Sequence, residues 1–138
     1  MAIENGIGMT WTIDDSGGTG RDVSTDVLSA TIAMPSGVQD VTGMTSTGFN
    51  RLHLLADLSI TLTAGFNDAA TTGFHTVLKN YRTLFTAQVG RTVAIAHSGQ
   101  TLTEEILFSD YSMARGQDGS LIVTAPGNMS DGTLGGWS

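Results

Sequence analysis

Apolar and polar positions alternate most persistently between residues 51 and 64. Leu52, Leu54, Ala56, Leu58, Ile60, Leu62 and Ala64 share one parity, and Arg51, His53, Leu55, Asp57, Ser59, Thr61 and Thr63 share the other. This period of two predicts a strand with one dry and one wet face. At about 3.3 Å per residue it would span about 45 Å, too far for a compact domain. The strand must therefore bend, or extend into a sheet shared with another chain.

The rest of the chain reads mostly the same way. "MTWTID", residues 9–14, predicts a first strand, and the Gly-rich "DDSGGTGRD" a turn after it. A second strand over 24–34 ends at Pro35. Residues 35–48 predict a loop, long against the usual connection of about 2–6 residues. Val38, Val41 and Met44 give it apolar points, which favours an interaction loop. After residue 65 the period changes: Phe74, Val77, Leu78 and Tyr81 lie on one helical face, predicting a single helix over 70–81 capped by Asp68, Thr71 or Thr72. Strands over 91–97, 101–115 and 120–126 predict a meander. The expected fold is mainly β, a sandwich or barrel of about six to eight strands with one flanking helix. It forms one domain over 1–138, with flexible ends at about 1–8 and 127–138.

Composition changes the picture in one respect. Charged residues make up 14 % of the 138 residues, against about 25 % in an average globular protein. The surface must be covered largely by Thr, Ser, Gly and Asn, which suits a subunit that buries much of itself against copies of itself. The net charge is −7, and the six Lys and Arg are scattered, so no basic patch exists to neutralise a row of phosphates. There is no cysteine, which removes disulfides and thiolate metal sites. The opening residues lack the pattern of a secretory signal, and no window approaches the ~20 apolar residues of a membrane helix.

Catalytic chemistry is not legible. His53, His75 and His97 stand in no metal-binding spacing. "GGTG", residues 17–20, lacks the Lys-Ser/Thr of a phosphate loop. Glu104 and Glu105 are adjacent on a strand, so they face opposite ways and make no acid–base pair. No serine has a nucleophile elbow. No enzyme activity, cofactor or metal is expected. The acids Asp57, Glu104 and Glu105, in mid-strand, read either as solvated outer-face residues or as the charge on a polar sheet face that lines something wet.

Four stretches, "RDVSTDV", "GVQDVTGM", "RLHLLADLSITLTAGFNDAATTGFHTVL" and "SGQTLTEEILFSDYSMAR", occur in this order between about residues 21 and 126. Together they resemble the major tail (tube) proteins of siphovirus-type tailed bacteriophages. The resemblance implies a β-sandwich subunit that self-assembles into hexameric rings stacked as a tube, the conduit for genome delivery. It implies that the loop over 35–48, with Val38, Gln39, Asp40, Val41 and Met44, contacts the next ring. It implies that the polar face with Asp57, Ser59, Thr61, Thr63 and Glu105 lines an acidic lumen, through which double-stranded DNA slides without specific binding. The implied partners are further copies of the chain, tail tip or baseplate, tape measure and tail terminator proteins. The implied location is the virion tail, assembled in the host cytoplasm without membrane insertion. A capsid decoration or carbohydrate- or protein-binding sandwich module of a virion would show the same composition and the same long loop.

Overall fold

In the computed structural model, the described residues are 3–85 and 89–138. They form ten strands and one helix in the order β1 (Thr10–Asp14), β2 (Gly20–Asp22), β3 (Val27–Ala33), β4 (Ser36–Asp40), β5 (Arg51–Ala56), β6 (Ser59–Gly65), α1 (Phe74–Leu78), β7 (Arg91–His97), β8 (Gln100–Phe108), β9 (Ser112–Arg115) and β10 (Leu121–Met129). Eight strands make one antiparallel sheet, ordered β2-β1-β7-β8-β10-β6-β3, with β9 also paired to β10. β4 and β5 make a separate two-stranded ribbon. The mainly β fold with one flanking helix is as expected, with ten strands in place of six to eight.

Strand alternation decides which face is buried. Leu58, Ile60, Leu62 and Ala64 of β6 and its approach, Leu102, Ile106 and Phe108 of β8, and Val123 and Ala125 of β10 all point into one core with Trp11 and Ile13 of β1. The helix closes that core with Phe74, Val77 and Leu78. The sheet curls around this cluster, so that β1 and β3, near its two ends, face each other across a groove of about 440 Å³ that includes Met9, Trp11, Val27 and Ile32.

The strand expected over 51–65 bends. Its second half, β6, lies in the main sheet, and its first half, β5, leaves it. The register shows how. Ala33 pairs with Ser59 and Ser36 with Ala56, and between them the Asp57 N–H donates to the carbonyl of Pro35 at 2.9 Å. The β3–β6 pair therefore runs on into the β4–β5 pair as one ribbon, kinked at Pro35 and Asp57. At the kink the Asp57 carboxylate accepts from the N–H of Leu58 at 2.8 Å, a local bond that turns the backbone out of a regular ladder.

Three boundaries differ from the sequence expectation. Residues 36–40, expected inside a loop, are strand β4, because β5 offers them a backbone partner. The strand expected over 101–115 is interrupted at 109–111. Phe108 pairs with Gly127 and Ser112 with Thr124, leaving three residues opposite two between them, which is a β-bulge. The helix covers five residues instead of 70–81. Before it, Thr71 has φ 67°, a left-handed conformation no helix continues. Gly73 then sits so close to Asn67 that a Cβ would lie 2.3 Å from its carbonyl oxygen. After it, Tyr81 and Thr83 bond back three residues, to Leu78 and Asn80, in tight turns.

The residues at the C-terminal end are hydrogen-bonded to the sheet. Residues 1 and 2 of the expected flexible N-terminal end lie outside the described residues. At the other end β10 continues to Met129. Beyond it, Ser130 donates to the Glu105 carbonyl, and Ser138 exchanges two backbone bonds with Thr101. The final residues thus follow the edge of β8 that β10 leaves uncovered.

Candidate functional site

The ribbon of β4 and β5 forms an arm. All of its strand residues are exposed except half-buried Ala56. This is unusual for its composition: Val38 is 52 % exposed, Leu54 52 %, Phe49 74 %, Leu55 95 % and Met44 103 %. A set of large apolar side chains on one projecting element marks a contact surface.

The tip of the arm is built by the "DVTG" stretch. The Thr42 hydroxyl donates to Asp40 Oδ1 at 2.5 Å, and the Thr42 N–H donates to the same oxygen at 2.9 Å. The hydroxyl then accepts from the Asn50 N–H at 2.8 Å, closing the hairpin. The hydroxyl bond from Thr42, with its N–H second, holds the Asp40 carboxyl below its ordinary pKa. Phe49 carries the Arg51 guanidinium over its ring, 4.8 Å from the centroid. All five expected contact residues lie on this arm: Val38, Gln39 and Asp40 in β4, Val41 and Met44 in its tip.

The sequence reading missed the other half of the surface. Leu52 and Leu54 have the parity of the core face, yet they lie beyond the kink and are open to solvent. Leu55 was the one clue, a large aliphatic residue on the polar parity of its strand.

The second surface is the polar face of the sheet, on the side away from the core. Ser59, Thr61 and Thr63 lie on one face of β6, opposite its buried Ile60 and Leu62. The register extends the face sideways. Thr61 pairs with Thr31 of β3 and with Pro126 of β10, and Thr63 with Ser29 and Thr124. Asp57 sits at the kink, where Asn128 Nδ2 donates to its Oδ2 at 3.1 Å. Asn128 pairs with Leu107, two residues from Glu105. The expected polar-face residues thus share one side of β6 and β8. Glu105 is half buried: the Thr92 hydroxyl donates to one of its oxygens, and the other is shielded without a partner among the described residues.

Glu104, the third acid considered for that face, is on the core side. It is 5 % exposed and accepts from the N–H of Gly135 at 2.5 Å. Its role is to hold the final residues onto β8.

Two free edges flank the polar face. β3 pairs only with β6, and β9 only with β10, among the described residues. The row β3-β6-β10-β9 therefore has an unpaired strand on each side. Free backbone edges are a liability in a monomer and a template for adding strands from another chain.

The residues considered for chemistry do not converge. His53 is on the arm beside Ser36, and His75 on α1 accepts or donates to the Tyr111 hydroxyl at 2.8 Å. His97 ends β7. Among the described residues no group of three or more His, Asp or Glu could hold a metal. The "GGTG" turn is folded around an acid: Asp15 Oδ1 accepts from Gly17 and Thr19, and Oδ2 pairs with Arg21 at 3.0 Å. The amides of Gly17 and Thr19 are spent on that carboxylate and that of Gly18 on the Asp15 carbonyl, so they are not open to a phosphate.

No protein-family model matches the sequence, and no curated protein matches it. The solved structures do give matches. The chain superposes on one from the tail of an empty gene transfer agent particle, obtained by helical refinement with C6 symmetry, with a TM-score of 0.70. The two share 17 % identity over 99 % of this chain and 98 % of that one. A chain from the virion of a native gene transfer agent particle matches at TM-score 0.71 and 15 % identity, over 99 % of each. The likeness is one of fold across the whole chain, and it agrees with the tail-tube-like architecture expected from the sequence.

Proposed function

We propose that this chain is the structural subunit of a tail tube in a phage-like particle, assembling into hexameric rings that stack to form a conduit for DNA. The observation that carries the reading is the single ribbon over β3–β4 and β5–β6. One half belongs to a sheet with an unpaired strand on each side. The other half leaves the body as an apolar arm. Such a subunit has exposed edges to complete sideways and an exposed arm to cover lengthwise. The full-length likeness to a chain of a C6-symmetric tail supports the same reading.

In this assembly β3 of one subunit pairs with β9 of the next around the ring, and the polar faces join as the lining of the channel. Asp57, Ser59, Thr61, Thr63 and Glu105 face the DNA. The arm, with Val38, Gln39, Asp40, Val41 and Met44, reaches the next ring. Tail tip, tape measure and terminator proteins meet the tube at its ends and along its lumen. The role is mechanical, without catalysis or cofactor, in a virion tail assembled in the host cytoplasm.

The test is assembly. Purified protein, concentrated and followed by light scattering and negative-stain imaging, should give six-fold rings and tubes. Replacing residues 38–44 by a short Gly-Ser turn should leave the circular dichroism of the body unchanged and stop elongation. A stable monomer at high concentration, also in the presence of tail initiator proteins, would sink the reading in favour of a virion-bound binding module.

A further inference from the structure

The arm needs a seat, and a second apolar patch lies at the opposite end of the same sheet. The arm leaves where Ala33 pairs with Ser59. At the other end, where Gly65 pairs with Ile122, three large side chains stay open on the side that carries the core: Phe66 at 38 %, Leu121 at 38 % and Met113 at 51 % exposed. Their common side follows from the register. Met113 pairs with buried Val123, and Leu121 is two residues from Val123 on the same face. Phe66 packs its ring 4.5 Å from that of His75 on α1, which covers the same side.

We propose that this patch is the socket for the arm of a second copy of the chain in the adjacent ring. The proposal rests on the tube reading above and names the receiving surface that the reading leaves open. Arm and patch sit on one molecule at opposite ends of one ribbon direction, so their contact is head-to-tail. A contact between two different patches of identical subunits does not close on itself and propagates along an axis. The arm's inner parity, Leu55 with Val38 paired to His53, continues the polar face of β6. An arm lying outside the neighbouring sheet therefore turns these residues onto that sheet's outer, core-side face, where the patch is.

The chain has no cysteine, so the contact can be read by cross-linking. Tubes of a Leu55→Cys, Leu121→Cys double variant, treated with a short bis-maleimide, should run on a denaturing gel as a ladder of covalent oligomers extending beyond six subunits. Each single variant should stay monomeric. A double variant that forms tubes under the microscope but remains monomeric on the gel overturns the proposal. A second measurement uses Leu121→Asp and Met113→Asp, singly. Both sites are exposed, so the thermal unfolding curve should not move, while the pelletable fraction of tubes should drop at least tenfold and rings remain. Tubes of normal length from both Asp variants also overturn it. If the unaltered chain forms no tubes at all, the tube reading itself has failed and the socket falls with it.

Discussion

The Asp26 carboxylate, in the turn between β2 and β3, accepts the backbone N–H of Phe74, the first residue of the helix, at 3.1 Å. Its other oxygen accepts from Asn67 Nδ2 at 2.9 Å, and its backbone carbonyl accepts from the Gly65 N–H at 3.0 Å. The position before the helix is Gly73, which has no side chain to cap with. A residue 48 positions away does it instead. One acid thus fixes both the end of β6 and the start of α1 against the β2–β3 turn.

Replacing Asp26 by Ala should cost about 1–2 kcal/mol, the loss of a helix cap together with a part-buried hydrogen bond. Asp26→Asn, which keeps an acceptor for one of the two donors, should lose less than half of that. Urea unfolding curves of the three proteins check the order. Equal midpoints for Asp26→Ala and the unaltered chain would show that Phe74 finds another cap.

Arg91 does the same for the other end of the helix. It is 1 % exposed, and its guanidinium donates to the carbonyls of Val77 at 2.5 Å, Asn80 at 2.8 Å, Thr83 at 3.0 Å and Asp14 at 3.2 Å. Burial lowers its pKa, with the charges of Asp15 and Asp14 opposing, yet a guanidinium stays protonated at neutral pH. Arg91→Leu leaves four carbonyls short of a donor and should cost about 3 kcal/mol or more. Arg91→Lys should recover only part, because an ammonium cannot span the fork. Denaturant midpoints and near-ultraviolet circular dichroism of the aromatic core check both. A Lys variant as stable as the parent would mean that charge, not fork geometry, is what the turn requires.

These two anchors explain how far the sequence could be read. The helical spacing of Phe74, Val77, Leu78 and Tyr81 found the right side chains for the core, because burial depends on periodicity. It overestimated the length, because the ends are set by Asp26 and Arg91, which are remote in sequence. The alternation over 51–64 found the buried residues of β6 for the same reason. It could not see the kink, since Asp57 keeps the parity of its neighbours and acts through bonds to Pro35 and Leu58. Strand β4 was illegible because "SGVQD" has little β character of its own and takes its shape from β5. The apolar points Val38, Val41 and Met44 drew notice to the segment after the strand-ending proline, and the structure puts that segment on the exposed arm. The exposure of Leu52 and Leu54 was missed, because nothing local distinguishes an apolar residue facing a core from one left open to solvent.

Acid should loosen the arm tip before the body. The Asp40 carboxyl is held below the ordinary aspartate range, first by the hydroxyl of Thr42 and then by its N–H. A carboxyl with a depressed folded pKa contributes stability that is present above the unfolded value and is lost as pH falls through the folded one. The tip should therefore keep its hydrogen bonds above about pH 4 and release them below it. The Thr42 amide resonance, followed by NMR as pH is lowered, should report that transition, and Asp40→Asn should abolish it. A Thr42 amide that does not move as the pH falls through the acid range would show that Asp40 does not hold the tip.

The charge of the polar face can be tested without touching its acids. Thr61 is exposed at the centre of that face, flanked by Thr31 and Pro126, and among the described residues its side chain carries no bond that the fold depends on. Under the tube reading, Thr61→Lys places one cation per subunit around the lumen. Two unit charges about 4 Å apart interact by about 1 kcal/mol in water and about 4 kcal/mol near a protein surface. Screening acts over about 8 Å at physiological salt, and DNA confined in a narrow tube cannot move beyond that range. Its phosphates would meet a new collar at every ring, and the attractions would add along the duplex. The variant should therefore assemble normally, by imaging, while particles carrying it release DNA at least tenfold more slowly when triggered. Raising the salt concentration should restore much of the rate, because adsorption to phosphates weakens steeply with salt. Thr61→Gln, similar in bulk and uncharged, should release DNA at the normal rate. If the Lys variant releases DNA normally at low salt from tubes of normal appearance, Thr61 does not face the channel, and the lining must be sought on another face of the sheet.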